Sequence, residues 1–253
     1  MKNYLIIILC SVVLMSCGDD SDTPSGPLLE KYSIEIMDYP QSVYVGKDFA
    51  IQLEYSRKHQ ISKRIGDLIR RSPSTGFNYR TYDKVYDELV YDNDIITITK
   101  KLTADSEFTS CLPFKRTLFL ENGKLVKKIE DNRHLEAFDN DTTYYYYKNE
   151  RLEKTTSRDL IRKYVYNESG NLLQISTQNT YTQEKDTTFY LGYDNTPNLC
   201  KNLFIFKECF NRSLSTNNYI GYIKKSYDSD GYLVGTVERE WTFQYDDENY
   251  VIY

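Results

Sequence analysis

Tyr164-Val-Tyr-Asn-Glu-Ser-Gly-Asn-Leu-Leu-Gln-Ile175 carries the fold in miniature. Tyr164 and Tyr166 sit on one side of an alternating run, Asn167 to Gly170 is polar, and the chain turns apolar again from Leu172. That order reads as strand, turn, strand. Asn and Asp side chains bond nearby backbone and open a turn, and glycine reaches the left-handed φ that closes it.

Related stretches recur along the chain. They are Tyr91-Asp-Asn-Asp-Ile-Ile96, Leu120-Glu-Asn-Gly-Lys-Leu125, Tyr147-Lys-Asn-Glu-Arg-Leu152, Tyr193-Asp-Asn-Thr-Pro-Asn-Leu199, Tyr227-Asp-Ser-Asp-Gly-Tyr-Leu233 and Tyr245-Asp-Asp-Glu-Asn-Tyr-Val251. With Tyr166, the anchors are spaced by 29, 27, 19, 27, 34 and 18 residues. Two strands of about eight to ten residues and their connections fill such a spacing, so each copy predicts one β-hairpin. Gly123, Gly170 and Gly231 supply positive φ, and Asp94 or Asn249 takes that place elsewhere. A one-residue slip would flip a row such as Trp241, Phe243 and Tyr245 to the other face, which pins the register.

Upstream, Ser33–Met37 and Phe49–Tyr55 alternate as strands. Ile61, Ile65, Leu68 and Ile69 fit one face of a helix, but the β-rich surroundings favour a strand bent at Gly66. Arg71 to Gly76 is a loop by its turn residues. Two inserts interrupt the series. Ala104–Pro113 is polar, and Asn198–Asn218 is apolar without alternation and predicts a short helix or packed loop closing one end of the sheet. The sum is an all-β fold over 31–253: a single large curved antiparallel meander, open or partly closed like a barrel, with roughly twelve to sixteen strands.

The amino terminus predicts the compartment. Met1-Lys-Asn3 is a short basic start, and the apolar run Tyr4–Met15 is too short for a comfortable transmembrane helix. It ends in Leu14-Met-Ser-Cys17, which resembles the bacterial lipobox, so residues 1–16 read as a signal peptide and Cys17 as the lipidated residue. Residues 17–30 then form a flexible tether. Its acidic residues after Cys17 resemble the surface-export signal of Bacteroidetes-type lipoproteins. The expected partner is therefore a membrane, reached through the anchor on Cys17, with the domain facing the outside rather than the periplasm.

Composition narrows the function. The net charge is −5 with both signs interspersed, which excludes the basic footprint of a nucleic-acid binder. Cys10 leaves with the signal peptide, so Cys111, Cys200 and Cys209 remain, and an odd count is not a disulfide framework. Either Cys200 and Cys209 form one bridge or the thiols stay free. His59 and His134 stand apart, with no ligand-spaced partner, and no nucleophile-elbow motif occurs. Asp228-Ser-Asp-Gly231 lacks the remaining ligands of a calcium loop. Neither a cofactor nor a metal is expected.

Two features remain as binding candidates. The run Tyr144, Tyr145, Tyr146 and Tyr147 places aromatics on both faces of one strand, so one pair belongs to the core. The other pair is either covered or exposed as a stacking platform for a sugar or a protein. Trp241 follows Glu238-Arg-Glu240, a combination that fits a sugar cleft as well as a solvated strand face.

The Tyr-Asp-turn-Gly-x-Leu series, with Arg64–Arg70, Tyr86–Thr99 and Leu120–Ile129, resembles a Bacteroidetes-type family of lipoproteins of unknown function. The resemblance spans roughly Ile61 to Tyr253 and implies a porin-like, partly closed β fold, with no catalytic residue to carry over. The expectation is a non-enzymatic, surface-exposed binding or accessory scaffold for a glycan or protein ligand. The alternative is an envelope glycan hydrolase using paired carboxylates. A lipid-facing barrel is disfavoured, because Val126-Lys-Lys-Ile-Glu130 and Leu152-Glu-Lys-Thr-Thr156 offer no apolar outer face.

Overall fold

Alternation along the chain becomes one continuous sheet in the computed structural model. It describes residues 28–33, 50–70, 79–102, 115–131, 141–247 and 251–252, with the backbone alone for 33, 67–70, 79–84 and 252. The strands are β1 (Lys31–Ser33), β2 (Ala50–Tyr55), β3 (Ile61–Arg70), β4 (Tyr79–Asp92), β5 (Ile95–Leu102), β6 (Lys115–Glu121) and β7 (Lys124–Asp131). Then follow β8 (Asp141–Lys148), β9 (Arg151–Thr156), β10 (Leu160–Tyr166), β11 (Leu172–Asn179), β12 (Lys185–Tyr193), β13 (Tyr219–Tyr227) and β14 (Leu233–Glu240). All fourteen pair antiparallel in sequence order, and β1 and β14 are the two edges, so the meander is open. A separate pair, β15 (Gln244–Tyr245) and β16 (Val251–Ile252), follows.

The expected signal peptide, the lipidated Cys17 and most of the tether fall outside the described residues. So do Ile34 to Met37, the loop 71–76, the insert 104–113, Cys111, His134 and Asn249.

The strand bent at Gly66 is present. Gly66 has φ 104°, and the β3–β4 register shifts between Ile65 and Asp67. Tight turns close where the repeat predicts them. Asn122 and Gly123 both have positive φ between β6 and β7, as do Asn149 and Glu150 between β8 and β9, which matches the twist of the flanking strands. Between β4 and β5 the left-handed residue is Asn93 (φ 50°) rather than Asp94. Asn tolerates that conformation better, because its side chain bonds locally.

Two stretches depart from the repeat. Tyr193–Leu199 does not turn directly into a strand. It enters a 3-10 helix (Leu199–Leu203), followed by α1 (Lys207–Ser213), before β13 begins. Trp241 and Phe243 do not continue an alternating strand: the chain leaves the sheet after Glu240, and both rings gather around the guanidinium of Arg212.

Because antiparallel connections alternate ends, the turns after β2, β4, β6, β8 and β10 share one rim, and the insert occupies the next place on it. From there the insert folds onto the concave face. Cys200, Leu203, Ile205, Phe206 and Cys209 join the same core as Ile51, Leu53, Leu89, Ile98, Leu118, Leu152 and Leu172. A curved sheet has too much inner surface to close on itself, and the insert supplies the second layer that buries it.

The opening stretch is where the insert is fastened. Leu172 N donates to Ser215 Oγ at 2.9 Å, Asn217 N to Asn171 Oδ1 at 2.8 Å, and Thr216 N to Gly170 O at 3.3 Å. A Cβ on Gly170 would lie 2.7 Å from Thr216 Oγ1, so this glycine answers both to its φ of 85° and to that close approach. Asn198 closes the insert on itself, donating to Arg212 O and Ser215 O while accepting from Cys200 N.

Candidate functional site

Inward positions along a strand normally carry apolar residues, so a charge among them marks a place to look. Arg64 on β3 and Asp87 on β4 are such residues, with side chains 3% and 2% exposed. They meet Glu208 of α1 across the concave face. Arg64 Nη2 lies 2.5 Å from Glu208 Oε1, Arg64 Nε donates to the Tyr32 hydroxyl at 3.0 Å, and that hydroxyl donates to Glu208 Oε1 at 2.8 Å. Arg116 Nη2 reaches Asp87 Oδ2 at 3.1 Å, and Lys100 Nζ lies 3.9 Å from Asp87 Oδ1.

Burial alone would raise the Glu208 carboxyl. Arg64, its own backbone N–H, Tyr32 and Arg116 outweigh burial and hold it below the usual carboxylate range. Burial also drives the Tyr32 hydroxyl and the Cys209 thiol well up, with Glu208 adding to both. Each of these groups is held in its resting protonation state and turned away from water. Cys200 and Cys209 are buried thiols and do not form a bridge. A raised thiol is a poor nucleophile. The cluster therefore fastens the insert rather than offering a reactive group.

Arg212 is the second interior cation. It is fully buried, donates to Tyr219 O at 3.0 Å, and stacks over Tyr219, Trp241 and Phe243 at 4.1, 4.9 and 5.4 Å from their centroids. Trp241, a sequence candidate for ligand contact, is thus half-buried between Arg212 and Arg239 and packs on Tyr219 and Tyr222.

The four consecutive tyrosines divide as alternation requires. Tyr145 is buried against Phe210 of α1, and Tyr147 is half-buried with its hydroxyl on Leu125 O. Tyr144 and Tyr146 project from the convex face, 46% and 43% exposed. Lysines attend both rings. Lys154 Nζ lies 4.4 Å from the Tyr146 centroid, and Lys127 Nζ sits between Phe119 (5.2 Å) and Tyr144 (6.0 Å). The structure thus brings Tyr144 and Tyr146 together and places Tyr145, Tyr147 and Trp241 elsewhere.

A third feature lies at the β12–β14 edge. A groove of about 490 Å³ is lined by Leu191, Gly221, Ile223, Glu238 and Glu240, among others. Glu238 and Glu240 alternate with Arg239 and so share one side of the strand, roughly 7 Å apart by strand geometry. Gly221 is required there, because a Cβ would lie 2.8 Å from Arg239 O.

The remaining sequence candidates are accounted for locally. The Asp228 carboxylate accepts from Asp230 N and Tyr232 N and so organises its own turn. His59 is an exposed turn residue with φ 56°. No cluster of metal-ligating side chains occurs among the described residues. Sequence reasoning missed Arg64, Asp87, Arg116, Glu208 and Arg212. The signal was present for Asp87, which interrupts the inward row Val85, Leu89 and Tyr91.

No family model matches the sequence, and no curated protein does. Among solved structures, a porin-like protein from Bacteroides uniformis is similar, with 12% identity, a TM-score of 0.51 and coverage of 80% of each chain. A porin-like protein from Bacteroides vulgatus matches with 15% identity and a TM-score of 0.39, covering 81% of this chain and 85% of that one. At such identities the first likeness shows the fold: a porin-like, nearly all-β meander.

Proposed function

We propose that this chain is a lipid-anchored, envelope-associated scaffold that binds a ligand without transforming it. The observation carrying the reading is the exposed Tyr144–Tyr146 pair, on a sheet whose inner face is filled by its own insert. Rings held at strand spacing on a rigid face are a binding device, whereas the buried titratable groups are engaged with one another. The lipobox-like Leu14–Cys17 and the porin-like fold support an envelope address, and the acidic tether supports the outward orientation.

Two measurements on cells test this. Cys17→Ala should move the protein from the membrane fraction to the soluble envelope fraction. Surface labelling and crosslinking of intact cells should tag the wild-type chain together with a bound partner. Unchanged membrane association of the Cys17 variant would remove the anchor, and absence of any crosslinked species would count against the scaffold.

The groove at Glu238 and Glu240 favours one second reading. Carboxylates roughly 7 Å apart suit water-mediated hydrolysis of a glycosidic bond. In that case glycan hydrolysis by the purified chain should be measurable and should fall by about a hundredfold or more in Glu238→Gln or Glu240→Gln. No turnover on a panel of envelope and plant glycans would dismiss it.

A further inference from the structure

We propose that the convex face of β6–β10 binds an acidic polysaccharide, gripped by Phe119, Lys127, Tyr144, Tyr146, Lys154 and Lys163. The inference rests on the scaffold reading and names its ligand class.

Strand register assembles the surface. Phe119, Lys127 and Tyr144 pair in one outward row that continues to Thr156 and Ile161. Tyr146, Lys154 and Lys163 form the next outward row. Between β6 and β10 neither row contains a carboxylate, although the protein as a whole carries a charge of −5.

Lys154 and Lys163 lie directly opposite each other on adjacent strands. Like charges facing across a sheet repel, and nothing in the packing requires them. Among the described residues no carboxylate lies within ion-pair distance of Lys127, Lys154 or Lys163, whereas Lys124, Lys128 and Lys148 each have one. Three cations thus stand without an ion-pair partner among the described residues, two of them beside the exposed rings. A local conflict of this kind marks a site kept for binding.

The chemistry of the surface selects its occupant. Exposed tyrosine rings stack on the apolar face of a pyranose, the lysines meet carboxylate or sulfate groups, and the interleaved hydroxyls of Thr142 and Thr156 suit sugar hydroxyls. The patch lies on an open sheet face rather than in a pocket, so it fits an extended polymer. Lysines stand among its rings, whereas the core of a protein interface is depleted of lysine.

The test uses the whole purified chain. It is titrated with polygalacturonate and heparin, and in parallel with a neutral β-glucan, single-stranded DNA and phosphatidylglycerol vesicles. The proposal expects one or both acidic polysaccharides to bind, the neutral polymer to bind at least about tenfold more weakly, and binding to weaken as salt is raised. Lys127→Ala and Lys154→Ala should each weaken binding severalfold, whereas Lys58→Ala in a distant turn should not.

The decisive variant is Lys163→Glu. It converts the repelling pair into an attractive one, so the melting temperature should hold or rise while polysaccharide affinity falls by about tenfold. Unaltered affinity in that variant, tighter binding to DNA or vesicles, equal binding to neutral glucan, or no binding to either acidic polymer would overturn the proposal. A partner still crosslinked on intact cells would show that the scaffold reading had survived that failure.

Discussion

Replacing Glu208 with alanine should destabilise the protein by about 3–5 kcal/mol, the cost of leaving a buried charge without its partner. Arg64 is 3% exposed, holds Glu208 at 2.5 Å and cannot rotate to water. Loss of that carboxylate leaves the buried guanidinium to share Asp87 with Arg116 and Lys100. It also removes the acceptor of the Tyr32 hydroxyl, which ties β1 to α1. Such a loss is a large fraction of the roughly 5–15 kcal/mol that holds a typical domain folded. Urea unfolding of wild type and variant measures it, and a difference under about 1 kcal/mol would refute the anchoring role.

Two companion results belong to the same prediction. Arg64→Met with Glu208→Leu should cost clearly less than the single losses added together, because an apolar pair carries no desolvation penalty. The acid limb follows from the depressed Glu208 carboxyl. Its stabilisation is complete above the unfolded-state value near 4.3 and is lost as pH falls through the lower folded value. Glu208→Gln should therefore show a shallower loss of stability in acid than the wild type.

The contrast between sheet and insert explains what the sequence discloses. Hairpins are local: Asn122-Gly123 and Asn167 to Gly170 fix their turns within a few residues, and the flanking alternation fixes which face is buried. The bend at Gly66 was legible for the same reason. The insert obeys no period. Its seven-residue helix has no side-chain cap and is held by contacts far along the chain, such as Tyr32 to Glu208, 176 residues apart. Those contacts cannot be read from spacing, so Arg64 and Glu208 stayed hidden, and Trp241 read as a ligand contact although it closes over Arg212.

The candidate surface divides along the same line. Alternation separated Tyr144 and Tyr146 from Tyr145 and Tyr147 before any contact was known. The opposition of Lys154 and Lys163 needed the register between β9 and β10, and the place of Lys154 beside Tyr146 needed the bulge between Tyr146 and Tyr147. A bulge adds one residue and changes every pairing after it, and nothing in the local sequence marks its position unambiguously.

Alkali should unfold the protein between pH 10 and 12, and the repeat anchors are the reason. Tyr91, Tyr147 and Tyr193, with Tyr55 on β2, stand half-buried at the tight-turn rim. The hydroxyls of Tyr55, Tyr147 and Tyr193 donate to Leu29 O, Leu125 O and Leu172 O of neighbouring chain segments. Burial pushes all four up to about 12. It drives Tyr145 and Tyr166 higher still. Unfolded tyrosine ionises near 10, so above that pH the unfolded chain sheds protons that the folded chain keeps. The neutral ring's contribution is whole below 10 and disappears as pH rises through about 12. Two units on each of four groups, halved for the water at the rim, sum to roughly 5 kcal/mol, enough to abolish a marginal stability. Loss of β circular dichroism should therefore coincide with the rise of tyrosinate absorbance in one cooperative step. Tyr147→Phe should raise the alkaline midpoint while costing about 1 kcal/mol at neutral pH, where its bond to Leu125 O is lost. Tyrosines titrating near 10 with the sheet intact would show that the anchors are open to water, and the rim would then owe its order to the turns alone.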